Sequence, residues 1–423
     1  MAGPIPTRLL PDTAAISADG RLRIGGCDLV DLAGEYGTPL FVYDEAHLRA
    51  RCREAVTAFG DGVAYASKAF LCDAMARLAH EEGMHLDVAT GGELFVALRA
   101  GVPADRLVMH GNNKSDAELA MALDEGVGRI VVDSFDELDR LDALAGSTGS
   151  RPRVLLRITP GVEAHTHEFV ATGQDDSKFG FTVSSGLAIA AVERAIGSAS
   201  VELVGLHAHI GSQVFEVGAF ARAVEVLADF AAPFGLAELS VGGGLGVPYV
   251  EGESAPSITE WASGIRAVCE AAGVMASVSA EPGRAIVAAA AITLYTVGTI
   301  KDLPGIRTYV AVDGGMSDNP RPVLYGSGYE TFLPRAAAAE RARSVRVVGK
   351  HCESGDLLVR EGWVPNDLAV GDVLATPVTG AYGHAMGSNY NHVLRPAVVF
   401  VADGDARTVV RRETFEDLVR REV

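Results

Sequence analysis

The sequence predicts an α/β protein, a (β/α)8 barrel followed by a C-terminal β-rich domain. Three observations carry this expectation. From about Phe59 to Arg284, short β-branched or leucine-rich runs alternate with amphipathic helical segments. Eight such runs occur. After about Ile292 helix signals become few, and strand-like runs separated by turn residues take over.

The eight runs are Val63–Ser67, His85–Ala89, Arg106–His110, Arg129–Val132, Val154–Ile158, Leu203–His209, Leu239–Gly242 and Ala276–Glu281. Between them lie helices with readable ends. Ser115-Asp116-Ala117-Glu118 and Ser134-Phe135-Asp136-Glu137 each read as a capping box. Glu93–Ala100 stops at Gly101, a C-cap glycine. Phe220–Phe230 and Ile258–Ala271 carry apolar residues at helical spacing. Strict β/α alternation demands parallel strands with right-handed crossovers, and eight units suit a TIM barrel. The alternative, an open doubly wound sheet, lacks its usual GxGxxG after the first strand.

Beyond the barrel, Thr293–Ile300, Thr308–Asp313, Ser344–Val348, Asp372–Thr376 and Ala397–Val401 read as strands. The short N-terminal pieces Leu22–Ile24 and Leu40–Val42 are expected to pack on that domain. The expected division is a barrel over residues 45–290 and a β-rich domain of residues 1–44 and 291–423.

Length and composition agree. A chain of 423 residues, 48 % hydrophobic and 22 % charged, suits one large domain plus a smaller one. With 55 acidic against 36 basic residues, the net charge of −19 argues against nucleic-acid and membrane binding. Five cysteines, widely spaced and without CxxC, argue against a disulfide framework and a zinc ribbon. Met1 to Pro11 lacks the apolar run of a signal peptide, and no apolar run reaches membrane length. A reducing cytoplasm is expected.

Functional residues of such barrels gather at the C-terminal ends of the strands. The first strand delivers Lys68, the second Asp87, and the sixth His207, His209 and Ser212. The seventh delivers Gly242, Gly243 and Gly244, and the eighth Glu281, Pro282, Gly283 and Arg284. Each alone has an ordinary explanation: a solvated lysine, a glycine turn, a structural ion pair. His207 and His209 at HxH spacing are paired core histidines or metal ligands, but no Cys or carboxylate at ligand spacing accompanies them, so no metal is expected.

Together they describe one kind of site. The seventh and eighth strand ends are where barrels commonly bind phosphate. A glycine run lets backbone N–H groups approach phosphate oxygens, while Ser212 adds a hydroxyl and Arg284 a positive charge. A lysine forms a Schiff base with an aldehyde. A ring cofactor with phosphate at one end and an aldehyde near the other is pyridoxal phosphate (PLP). His209 can lie flat on that ring. A Glu281 carboxylate beside the ring nitrogen keeps it protonated, which favours carbanion-forming chemistry such as decarboxylation.

The ordered motifs extend nearly end to end: YASKAF (65–70), LDVATGGEL (86–94), HGNNKS (110–115), GVEAHTHEF (161–169), KFG (178–180), HAHIGSQ (207–213), GGGLG (242–246), EPGRAI (281–286), DGGMSDNPRP (313–322), CESGD (352–356) and GAYG (380–383). In these the chain closely resembles the diaminopimelate decarboxylases, PLP-dependent group IV decarboxylases of alanine racemase-like fold. The resemblance implies decarboxylation of meso-2,6-diaminopimelate to L-lysine, the last step of lysine biosynthesis. It implies a head-to-tail homodimer with active sites shared at the subunit interface. Lys68 would be the Schiff-base lysine. Gly242–Gly244, Glu281–Arg284 and Tyr382 would hold the cofactor. Arg284, Arg321, Tyr325, Glu353 and Tyr382 would meet the substrate, and Cys352, supplied by the partner subunit, would donate a proton. The physical sense is clear: an arginine can grip the distal carboxylate bidentately, and a thiol is a reasonable acid near neutral pH. The GAYG segment continues as His384-Ala385-Met386, and Pro320 and Pro322 flank Arg321. These departures concern loop shape and spare the proposed side chains.

Other readings are a decarboxylase for ornithine, arginine or a carboxylated polyamine, a racemase, or a PLP carrier or inactive regulator. Arg321 is out of place for a substrate without a distal carboxylate. Glu281 disfavours racemisation. The long β-rich domain and the presence of Lys68 and Cys352 argue against the last class.

Overall fold

Eight parallel strands succeed one another in chain order in the computed structural model, which describes residues 2–162 and 173–423. They are Ala64–Ala66, His85–Val88, Leu107–Met109, Arg129–Val132, Arg153–Thr159, Glu202–His207, Glu238–Ser240 and Ser277–Ser279. Each pairs in parallel with its neighbour. Closure comes from two backbone bonds: Ala64 N–H donates to Ala280 O at 3.0 Å, and Ala66 N–H to Pro282 O at 3.3 Å. The barrel expectation therefore holds, and the open sheet does not.

Strands buried on both faces read as near-continuous apolar runs, which is why the barrel was legible. Val108, Val131, Leu155 and Val204, one from each of four consecutive strands, form a buried cluster. A short extra strand, Phe181–Thr182, adds in parallel to Ile158–Thr159. The GVEAHTHEF motif lies, from residue 163 onward, outside the described residues.

Helix caps follow the sequence with one difference. Ser115 and Glu118 form a complete capping box. Ser134 accepts from the Glu137 N–H at 3.2 Å, but the Glu137 carboxylate does not return the bond. It meets Lys114 Nζ at 2.7 Å instead, in a pair 0 % and 1 % exposed. A buried ammonium needs a paired anion more than the helix start needs a second cap.

Backbone contacts divide the chain into two units, one of Arg51–Gly246 with Ala255–Ala285, the other of Met1–Ala50, Val247–Ser254 and Ile286–Val423. The second is built on an eight-stranded sheet. Its centre is Ala291–Leu303, antiparallel to Leu40–Asp44, which in turn runs parallel to Ala397–Ala402. Thus an N-terminal strand, fully buried, sits inside the C-terminal sheet. Leu22–Ile24 belongs to a separate three-stranded sheet with Ala15–Ile16 and Cys27–Asp28.

Two strands of the eight-stranded sheet, Leu357–Val364 and Asp405–Val410, were not anticipated, nor were the short Ala15–Ile16 and Cys27–Asp28. The first is interrupted by exposed Arg360 and Glu361 and pairs through register shifts. The second is a largely exposed edge strand. Neither presents the apolar alternation on which strand recognition depends.

Candidate active site

Lys68 stands in the turn Ser67–Ala69 directly after the first barrel strand. Ser67, Ala69 and Phe70 are buried, and Tyr65 Oη donates to Phe70 O at 2.6 Å, so the turn is held from below. The Lys68 side chain is exposed. The Glu281–Arg284 turn rests against this strand end. A Cβ on Gly283 would fall 2.9 Å from both Cβ and O of Ala66, so only glycine permits the approach.

Behind the lysine lies a buried cluster of carboxylates and imidazoles. Glu281 Oε1 accepts from Ser240 Oγ at 2.6 Å, and its Oε2 lies 2.9 Å from His207 Nε2. His110 Nε2 lies 3.7 Å from Glu281 Oε1 and 3.3 Å from Asp87 Oδ1. The His110 and His207 rings meet edge to face at 5.1 Å.

Burial opposes ionisation of Glu281, but His207, His110 and the Ser240 hydroxyl outweigh it and hold its carboxyl well below the usual range. Asp87 goes the other way: burial first, then the neighbouring Glu281 charge, push it well above an ordinary aspartate. The two neighbouring carboxyls are thus pushed in opposite directions, Glu281 toward its ionised form and Asp87 toward its protonated one. Burial drives His110 down to about 3. It also carries His209 well below the ordinary value, aided by Lys68 and Arg157. Both of these imidazoles are neutral near pH 7.

His207 and His209 do not act as a pair. His209 Nδ1 accepts from the Gly243 N–H at 3.1 Å, which fixes its ring, while His207 turns to Glu281. Among the described residues, His110, His207 and Glu281 offer ligand atoms that all lie within 4.8 Å of one another.

The glycine run is required by close packing. Gly242 and Gly244 have φ of 69° and 112°. A Cβ would lie 2.3 Å from Ala208 O at Gly242, 2.2 Å from Glu281 O at Gly243 and 2.1 Å from Gly211 O at Gly244. The Gly242 N–H donates to Ser240 Oγ at 3.3 Å and the Gly243 N–H to His209 Nδ1, so these two amides serve the strand ends themselves. Arg284 Nη2 donates to Ser212 Oγ at 2.8 Å, which leaves the Ser212 O–H as a donor beside a guanidinium.

The donor set fits pyridoxal phosphate. An amine for the aldehyde, an ionised carboxylate for the ring nitrogen, a neutral imidazole for the ring face, and a hydroxyl with an arginine for the phosphate all stand at the same barrel end. Pro282 contributes by fixing the turn through its carbonyl.

The second unit carries the remaining candidates. Of the five cysteines, four are buried and Cys352 is exposed. Its N–H donates to Asn391 Oδ1 at 3.2 Å, and the same oxygen lies 3.3 Å from His351 Nδ1. Asp356 accepts the N–H groups of Met316 at 2.6 Å and His351 at 2.8 Å, anchoring the Cys352 loop. Glu353 is exposed and its Oε1 accepts from Gly355 N–H at 3.2 Å. Tyr382 sits at φ 63°, a left-handed backbone that non-glycine residues adopt at some cost, as at many functional sites.

Arg321 opens the helix Arg321–Tyr325, which places Tyr325 one turn away, half-buried. Arg321 is 4 % exposed, and no carboxylate of the described residues pairs with it. Its Nη1 donates to Tyr329 Oη at 2.6 Å, and its guanidinium lies 4.2 Å from the Tyr249 ring centre.

Sequence reading named the strand-end residues but missed His110, Ser240, Tyr249, Tyr329 and Asn391. His110 directly follows the third strand and opens HGNNKS, so position was its available signal. The others act through partners distant in sequence.

Residues 45–288 match the family described as pyridoxal-dependent decarboxylase, pyridoxal binding domain. The chain is 50 % identical over 425 residues to a diaminopimelate decarboxylase of Mycobacterium tuberculosis, covering 96 % of this chain and 95 % of that one. It is 46 % identical over 430 residues to that of Bacillus subtilis, covering 97 % of each. A solved diaminopimelate decarboxylase from M. jannaschii superposes with a TM-score of 0.91 at 32 % identity, over 97 % of this chain and 98 % of that one. The same enzyme in complex with L-lysine gives 0.90. With half its residues identical over nearly its whole length and the same two-part fold, the chain belongs to the diaminopimelate decarboxylase family of pyridoxal-dependent decarboxylases.

Proposed function

We propose that the protein removes the carboxylate from the D-centre of meso-2,6-diaminopimelate, releasing CO2 and L-lysine as the last step of lysine biosynthesis. Relatives of that name, one of them solved with L-lysine bound, support the reading. The observation that carries the substrate choice is Arg321, a buried guanidinium that no carboxylate of the described residues pairs with. A distal substrate carboxylate completes it.

Bound pyridoxal phosphate supplies the electron sink for the pair left when the Cα–carboxylate bond breaks. Lys68 Nζ would hold the cofactor aldehyde. Glu281 would stay ionised and hold a proton at the ring nitrogen, beside Asp87, whose carboxyl burial and the Glu281 charge push toward its protonated form. His209 would lie against the cofactor ring. Ser212 and Arg284 would hold the phosphate end beside the Gly242–Gly244 turn, and Tyr382 would be a further cofactor contact. Arg321, Tyr325 and Glu353 orient the distal amino-acid group, Glu353 by its charge on the ammonium. Arg284 and Tyr382 also meet substrate. Cys352 Sγ–H returns a proton to Cα, and solvent reprotonates the thiol.

The functional assembly is a head-to-tail homodimer with shared active sites, in which the thiol comes from the partner's Cys352. It works in the cytoplasm, a reading supported by the odd number and wide spacing of its five cysteines and the lack of CxxC. The barrel domain is taken as residues 45–290 and the β-rich domain as residues 1–44 and 291–423.

Incubation of the purified holoenzyme with meso-diaminopimelate should release CO2 and lysine. Silence there, with rapid CO2 release from ornithine or arginine, overturns the substrate. Lys68→Ala should abolish the visible absorbance of bound cofactor; an unchanged band removes the lysine from its role.

A further inference from the structure

Arg321 is held in its charged form, and among the described residues no carboxylate pairs with it. Pro320 and Pro322 restrict the backbone on either side of it. Its two observed partners, Tyr249 and Tyr329, are both 3 % exposed. One presents the face of its ring at 4.2 Å, the other its hydroxyl at 2.6 Å. The two rings meet edge to face at 5.2 Å. Close approach of their segments depends on Gly328, where a Cβ would fall 2.9 Å from Val250 Cγ1.

A buried guanidinium is ordinarily neutralised by a carboxylate, because an unpaired charge is costly away from water. Here an aromatic face steadies the cation without cancelling it. A phenol occupies one N–H of a fork that has five. The remaining donors stay in a fixed plane, ready for two parallel bonds to a carboxylate. A substrate ending in an ammonium meets an undiminished positive charge and is repelled.

We propose that Tyr249 and Tyr329 are positioning residues that set substrate specificity, holding Arg321 as an uncancelled cation so that the site selects amino acids with a second, distal carboxylate. This rests on the assignment of Arg321 to that carboxylate.

The test is steady-state kinetics of the holoenzyme with meso-diaminopimelate, with the cofactor absorbance as a control. Loss of a hydrogen bond to a charged group predicts that Tyr329→Phe raises KM about tenfold while kcat moves less than about twofold. Tyr249→Leu should raise KM about fivefold, and Tyr249→Phe, which keeps the ring face, should recover most of that loss. The cofactor band stays unchanged in all three. Wild-type KM in Tyr329→Phe and Tyr249→Leu, alongside a large rise in Arg321→Ala, overturns the tyrosine proposal and leaves the arginine assignment standing. An unchanged KM in Arg321→Ala overturns that assignment itself. A joint collapse of kcat, KM and the cofactor band in the tyrosine variants shows a merely structural role and also overturns the proposal.

Discussion

His207 Nε2 lies 2.9 Å from Glu281 Oε2, joining the end of the sixth barrel strand to the turn after the eighth. With Ser240 on the other oxygen, this contact favours the ionised form of Glu281, while burial and the Glu281 charge push its neighbour Asp87 toward the protonated form.

Glu281→Gln keeps the size of the side chain and removes its charge. Since Glu281 is assigned to stabilising charge at the ring nitrogen, kcat should fall on the order of 100-fold, with the cofactor band retained. CO2 release measured beside absorbance decides this. Wild-type kcat in the variant sinks the role.

Cys352 is the single exposed thiol among the five. Iodoacetamide should therefore inactivate the enzyme with the label on Cys352. Cys352→Ala should lose about 100-fold or more in kcat, the usual scale for a positioned acid. Peptide mapping of the alkylated protein checks the site, and full activity after stoichiometric labelling would count against the proton-donor role.

Lys114 Nζ donates to Gly111 O, Val131 O and Glu137 Oε1, each at 2.7 Å. Glu137→Ala leaves a buried ammonium without its anion and should cost about 3–5 kcal/mol. Replacing both residues with apolar ones of similar size, Lys114→Met with Glu137→Leu, should recover much of the loss. Urea unfolding followed by fluorescence compares the three proteins. A single variant as stable as the parent would show that the pair contributes little.

Asp318 accepts from Tyr295 Oη and from the Gly315 N–H, yet burial pushes its carboxyl up to about 7 from 3.8. A carboxyl raised in the folded state stabilises fully below its unfolded value, and the contribution is lost as pH rises through the folded one. Wild-type stability should therefore decline relative to Asp318→Asn as pH goes from about 5 to about 8. Parallel Tm-against-pH curves for the two proteins would refute this.

The sequence by itself determined the barrel, the β-rich domain and the strand-end positions of Lys68, Glu281 and Arg284. Parallel strands buried on both faces and capped helices leave local patterns in consecutive residues, and those patterns can be read without partners. Only the tertiary structure decided that His207 pairs with Glu281 rather than with His209, and that Glu137 serves Lys114 rather than its own helix cap. Only the fold placed Tyr249 and Tyr329 around Arg321. Electrostatic roles depend on which strand ends and loops converge, and on how far each group is taken from water. Periodicity along the chain records neither.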